Sequence, residues 1–250
     1  PIPTQGVSSA ASDVYKRQHL DYDDFEWLRR GALSDAIAWD REFGRVRDVS
    51  RLEVERNLFR YRPVDGVAVR ATAGASWREI VRVAVAGVRA GTPFEVSVPA
   101  GVPSGVRRAL GDLGVPVWVE SDGEWRARVA AARGLGGGVA DEAAVVAAET
   151  ALVAAEAGAM DAGGALATVA AGVSASVPFS RVRIVGRRDE ARAAHVALAA
   201  AVDGDPDLAI YAGDVTTAGR LELLPFVHEQ AITITAHRFG NPDDWSAAVI

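Results

Sequence analysis

Between residues 67 and 212, short apolar runs alternate with amphipathic stretches. The run at 67–70 predicts a strand. Residues 75–90 predict a helix, with Trp77, Ile80, Val81, Ala84 and Val88 on one stripe and Arg78, Glu79, Arg82 and Arg89 largely off it. Residues 94–98 predict the next strand. Ser104 is placed to cap a helix running to 113, which Gly114 ends. A strand at 115–119 and a helix at 123–133 follow. After an interruption come a strand at 181–185, a helix at 189–202 and a strand at 208–212. Alternation with short connections predicts an α/β fold: an open, mostly parallel, Rossmann-like sheet with flanking helices.

Three stretches break this pattern. In 19–50, Tyr22, Phe25, Trp27, Leu28 and Trp39 stand among many acids. Residues 25–39 read as one or two helical turns, with Asp24 as a cap. Residues 57–63 (NLFRYRP) alternate aromatic and Arg residues toward a Pro, which fits a short extended connection. The interruption at 134–178 is an insertion rich in Ala, Gly and Val, expected at the periphery of the sheet, in which 141–158 suits an Ala-rich helix. Near the end, 221–226 (LELLPF) is apolar and 231–235 (AITIT) alternates, with Ile232 and Ile234 on one face. His237, Arg238, Phe239, Gly240, Asn241 and Pro242 then form a turn-rich end. One alternating strand cannot close a sheet alone, so it needs this domain's edge or another surface.

Composition narrows the function classes. A hydrophobic content of 49% over 250 residues supports a real core. A net charge of −6 argues against nucleic acid as the main partner. No apolar run approaches the roughly 20 residues of a membrane span, and no secretory signal is visible. The chain has no Cys, which removes disulfides, thiolate metal sites and a Cys nucleophile. Its four His residues lack zinc-binding spacing. Lys16 is the only Lys and Met160 the only Met. Residues 1–18 (PIPTQGVSSAASDVYKRQ) resemble a translated sequencing-adapter scar of the kind found in metagenomic sequences. They are not expected to belong to the fold, and the remainder is expected to be a fragment of a longer, GC-rich coding sequence.

The candidate chemistry is sparse. The Gly run ending at Gly138 follows a helix and lacks dinucleotide-binding spacing, so it reads as a hinge. The segment 69–76 (VRATAGAS) places a helix N-terminus where an anion can bind, although an ordinary capped helix explains it as well. His195 lies at helical spacing between Ala191 and Leu198 and reads as a border residue. Asp21, Asp23, Asp24 and Glu26 suit a solvated face better than a cation loop. Glu229, Gln230, His237 and Arg238 flank the alternating strand. They fit a docking strand or an edge strand guarded by charges, and physics alone leaves both readings open.

Three segments share one resemblance. Residues 34–63 (SDAIAWDREFGRVRDVSRLEVERNLFRYRP) resemble the segment that follows the aldehyde dehydrogenase module in bifunctional proline dehydrogenase / L-glutamate γ-semialdehyde dehydrogenases. Residues 212–224 (AGDVTTAGRLELL) and 225–242 (PFVHEQAITITAHRFGNP) resemble that family's C-terminal end. The resemblance implies a parent enzyme that oxidises proline with FAD and then the semialdehyde with NAD, passing the intermediate through an internal tunnel. It implies that this region is a noncatalytic, aldehyde-dehydrogenase-like module with no cofactor of its own. The implied organisation is a connector at 19–63, an α/β domain at 64–219 and a β-flap with its tail at 220–250. Glu229, Gln230, Ile232, Ile234, His237, Arg238, Phe239 and Gly240 would then be lid residues, with no catalytic or metal-binding residue. The implied partner is the upstream aldehyde dehydrogenase module, with self-association possible, in the cytoplasm. The rival readings are a free-standing α/β nucleotide-binding protein and an independent dehydrogenase. The second lacks the thiolate its chemistry needs.

Overall fold

The structure is a computed structural model and describes residues 21–52, 55–135 and 178–235, together with the backbone of 237–238 and 241–242. Residues 1–18 and nearly all of the 134–178 insertion, with its expected helix at 141–158, lie outside the described residues.

Among the described residues, five parallel strands form the central sheet: β3 (Val67–Ala71), β4 (Phe94–Val98), β5 (Val117–Val119), β6 (Arg181–Val185) and β7 (Ala209–Tyr211). Their order is β5-β4-β3-β6-β7, so the chain winds outward in both directions from β3. Every residue of β3 and β4 is buried, including the polar Arg70, Glu95 and Ser97 among their Val, Ala and Phe neighbours.

On one face, Val67, Val69, Val96 and Val98 meet Ile80, Val83 and Ala84 of helix α2 (Trp77–Ala90) and Val106 and Leu110 of helix α3 (Ser104–Asp112). On the other, Ala68, Val182 and Ile184 meet Trp125 and Val129 of helix α4 (Asp122–Ala132) and Ala191 and Leu198 of helix α5 (Arg188–Ala201). Helix α2 starts with a reciprocal capping box between Ser76 and Glu79 and ends at Gly91, whose φ of 69° strongly favours glycine. Helix α3 is capped differently from expectation: Pro103, not Ser104, is its N-cap.

Two expectations need correction. Residues 25–39 were expected to give one or two turns, but helix α1 runs over Tyr22–Ala38 and continues as a π-helical turn at Trp39–Phe43. Asp21, not Asp24, is the cap residue, and no side chain caps the helix. Its buried stripe is Leu28, Gly31, Asp35 and Ala38. That spacing is helical, but only one of the four is a large apolar residue, so the period is faint in the sequence.

The second correction concerns the expected connection at 57–63. It is the body of strand β2 (Glu55–Pro63), which pairs antiparallel with β8 (Val227–Thr235) over nine residue pairs, from Glu55↔Thr235 to Pro63↔Val227. The two-residue β1 (Arg47–Asp48) lies on the far side of β2. The alternating strand therefore finds its sheet within this chain. Short helix α6 (Gly219–Glu222) and a 3-10 turn (Leu224–Phe226) lead into it. A last ribbon pairs β9 (His237–Arg238) with β10 (Asn241–Pro242). Among the described residues, no helix is long and apolar enough to cross a membrane.

Candidate functional site

The antiparallel sheet holds the strand of the expected flap, and this flap has a firm root in the domain. At the root, Phe226 is fully buried and its ring meets Phe94 edge-on at 5.7 Å. Its carbonyl accepts from the Thr92 hydroxyl at 2.5 Å and from the Val64 N–H at 3.1 Å. One Nη of Arg181, at the start of β6, donates to the carbonyls of Leu224 and Val227, each at 2.7 Å. These bonds satisfy backbone groups where the chain leaves the domain, and they fix the direction of β8.

Beyond the root the flap thins. On one face, Leu58 is buried and its partner Ile232 is half-buried, as are Gln230 and Ile234, while Arg60 Nε donates to Gln230 Oε1 at 2.7 Å. On the other face, Glu229, Ala231, Thr233 and Thr235 are exposed. There the Thr233 hydroxyl meets Asn57 Oδ1 at 2.9 Å, and the Tyr61 hydroxyl reaches Glu229 Oε1 at only 3.4 Å. Burial of Tyr61 and the neighbouring Glu229 carboxylate both push the phenol above its ordinary pKa. Tyr61 also packs on Phe43 at 4.6 Å and on Phe59 at 5.3 Å.

The flap sheet ends at β8 among the described residues, so beyond Val227, whose carbonyl Arg181 takes, no strand pairs with its outer side. Such an edge is a template for another strand. The expected lid residues Glu229, Gln230, Ile232 and Ile234 share this strand. His237 and Arg238 lie on β9, described by backbone alone, and Phe239 and Gly240 lie outside the described residues. Asn57, Arg60, Tyr61, Thr92 and Arg181 complete the flap and its root. None of these five is expected from the sequence, where the aromatic–Arg alternation of 57–63 suits a connection.

The nucleotide seat of a doubly wound sheet is built differently here. After β3, the Gly74 N–H and the Thr72 hydroxyl both donate to Glu190 Oε2, each at 2.7 Å. Glu190 comes from the first turn of α5. The chain's own carboxylate thus occupies the turn where such folds hold a phosphate, while Ser76 and Glu79 cap the adjoining helix. Outside the C-terminal ends of β3, β4 and β5 lies a crevice of about 440 Å³ lined by Arg70, Pro99, Glu120 and Asp122. Its charges are largely paired with one another: buried Arg70 bonds Ser97 Oγ at 2.6 Å and Asp122 at 2.7 Å, although its Nε has no partner among the described residues, and Arg128 pairs with Glu95 at 2.5 Å and Glu120 at 2.7 Å. Burial pushes Glu120 up, but hydrogen bonds from Arg128 and Ser97 outweigh it and hold the carboxyl below its usual range.

The remaining candidates are ordinary. His195 is half-buried between buried Ala191 and Leu198. Of the four acids at the start of α1, Asp24 pairs with Arg78 at 2.8 Å and Glu26 with Arg29 at 2.9 Å in surface ion pairs. Among the described residues, no group of three or more His, Cys, Asp or Glu could hold a metal ion. Of the expected Gly run, only Leu135 before it is described.

Fold and site together define a doubly wound α/β domain that carries an open-edged antiparallel flap. No family model matches the chain, and no curated protein matches it in sequence. Among solved structures it is similar to Proline Utilization A (PutA) from Corynebacterium freiburgense, with a TM-score of 0.46 and 23% identity over 85% of this chain. The chain spans 14% of that protein's length. A NAD-dependent benzaldehyde dehydrogenase from Corynebacterium glutamicum is a more distant likeness, with a TM-score of 0.32 and 11% identity over 95% of this chain and 83% of that one.

Proposed function

We propose that this chain is a noncatalytic, C-terminal structural module of a bifunctional proline-catabolic enzyme, and that its flap covers the aldehyde dehydrogenase module and seals the passage of the semialdehyde. The observation that carries the reading is the flap itself: a nine-residue edge strand, firmly rooted at Val227 and with no further strand on its outer side among the described residues. Its residues belong to the 225–242 segment that resembles the family's C-terminal end.

The chemistry is consistent with a lid. Main-chain groups on an open edge supply affinity for an added strand, and alternating side chains supply selectivity. Ile232 and Ile234 offer half-buried apolar surface on one face, while Glu229 and Thr233 remain polar on the other. Covering the passage limits the loss of a reactive aldehyde to bulk water. Aldehyde oxidation through a thiohemiacetal needs a thiolate, and this chain contains no Cys. Glu190 in the phosphate turn speaks against the rival nucleotide-binding reading.

The test is made in a polypeptide that carries both modules. Ile232→Arg, Arg238→Ala and Phe239→Ala are expected to raise the semialdehyde trapped in solution during turnover of proline, with oxidation of added semialdehyde little changed. Unchanged leakage and unchanged coupled flux in all three variants would overturn the lid.

A further inference from the structure

We infer that Asp35 and Arg183 are positioning residues for the flap, acting through a continuous buried chain of polar contacts that seats helix α6 between α1 and the parallel sheet. Asp35 on α1 and Arg82 on α2 are both fully buried and form a two-pronged pair, with bonds of 2.7 and 2.8 Å. Arg82 Nε also donates to the Thr216 carbonyl at 3.0 Å. The N–H of the same Thr216 donates to Glu222 Oε1 at 2.8 Å. Glu222 is buried and accepts from Arg183 of β6 at 3.1 and 3.3 Å. Arg183 in turn donates to the carbonyls of Ile184 and Gly213, each at 2.7 Å. One residue, Thr216, thus joins two buried ion pairs.

The chain ends at the flap. Leu223, which follows Glu222, is fully buried, and the 3-10 turn and β8 come next. At the other end, the Gly219 N–H donates to Ser34 Oγ at 2.9 Å. A Cβ on Gly219 would lie 2.5 Å from the Ser34 carbonyl carbon, so this close approach of α6 to α1 requires glycine. A shift of α1 must therefore move α6 and the root of β8, or break a buried bond. Burying two ion pairs is costly, and apolar residues of equal volume would serve stability as well or better. What the pairs add is a fixed relative placement of α1, β6 and α6.

The purpose assigned to this device rests on the lid reading, but its test does not, because it is made on the 250-residue chain without a partner. Amide hydrogen exchange is followed residue by residue in Asp35→Asn, Arg183→Lys and the milder Ser34→Ala. Exchange across 224–235 is expected to rise about tenfold or more in the first two and less in the third, relative to amides of β3 and β4. Arg128→Gln, which breaks a half-buried ion network in the same domain with no link to α6, is the control. It should leave the flap's relative exchange unchanged. Unchanged relative flap exchange in folded Ser34→Ala and Arg183→Lys, or an equal rise in Arg128→Gln, would overturn the inference. If Asp35→Asn does not fold, those two variants decide.

Discussion

The parallel domain and the flap are held together in opposite ways. The domain buries side chains on both faces of its sheet, and its central strands have no exposed residue. The flap has a nine-pair ladder but only Leu58 and Val227 buried along β2 and β8. A ribbon of that kind is marginal by itself. Its order comes from the root, where Thr92, Arg181 and Phe226 tie it to the domain, and from Tyr61 packed on Phe43. Under the proposed function, the contrast would make one region the scaffold and the other the docking element.

The largest expected effects lie where the two regions meet. Phe226→Ala removes a fully buried ring from the shared core and should cost about 3–5 kcal/mol in denaturant unfolding. Arg82→Met leaves the Asp35 carboxylate buried without its partner and should cost about 3–5 kcal/mol. A loss below about 1 kcal/mol in Phe226→Ala would mean that the root is not part of the domain's core, and the contrast would collapse. By comparison, Leu58→Ala in the flap should accelerate exchange across β2 and β8 while shifting the global unfolding midpoint much less than Phe226→Ala does.

Acid sharpens the same boundary. Burial pushes the Asp35 carboxyl from 3.8 up to about 6, against the pull of Arg82. A carboxyl raised on folding binds more protons in the folded state across that window. Its contribution therefore weakens stability as pH rises from about 4 to about 6. Carboxylates held low, among them Glu120, act with the opposite sign and lose their contribution as pH falls through their folded pKa. Stability of the parent chain minus that of Asp35→Asn should thus decline between pH 4 and pH 6.5, a window taken from that shift. A flat difference would place Asp35 in an ordinary, solvated titration.

The parallel domain was legible because its central strands are short, rich in Val and Ile, and separated by amphipathic helices with clear ends. The expected 94–98 and 181–185 coincide with β4 and β6 to the residue. Half of the flap was hidden for two reasons. β2 is built from Arg and aromatic residues that also suit a connection, and its partner strand lies far along the chain, with Arg60 and Gln230 separated by 170 positions. The seat of Glu190 was out of reach for the same kind of reason. A carboxylate 116 positions from Gly74 leaves no local mark on the glycine it binds. Helix α1 was underestimated because Gly31 and Asp35 hold positions in its buried stripe where a periodic reading looks for large apolar residues.

The smallest predicted effect separates the ladder from its side chains. Tyr61 and Glu229 sit directly opposite each other on the exposed face of the flap, yet the hydroxyl-to-carboxylate distance is a long 3.4 Å. A bond that weak, shared with water, adds little to a strand pair. The ring is different, because it rests on Phe43 and Phe59 near the root. Tyr61→Phe should therefore change stability by less than about 0.5 kcal/mol, whereas Tyr61→Ala should cost about 2 kcal/mol or more and loosen β2 in exchange measurements. Equal losses in the two variants would mean that the polar contact, rather than packing near the root, holds the flap. The distinction between a domain made of buried side chains and a flap made of ladder and root would then have to be redrawn.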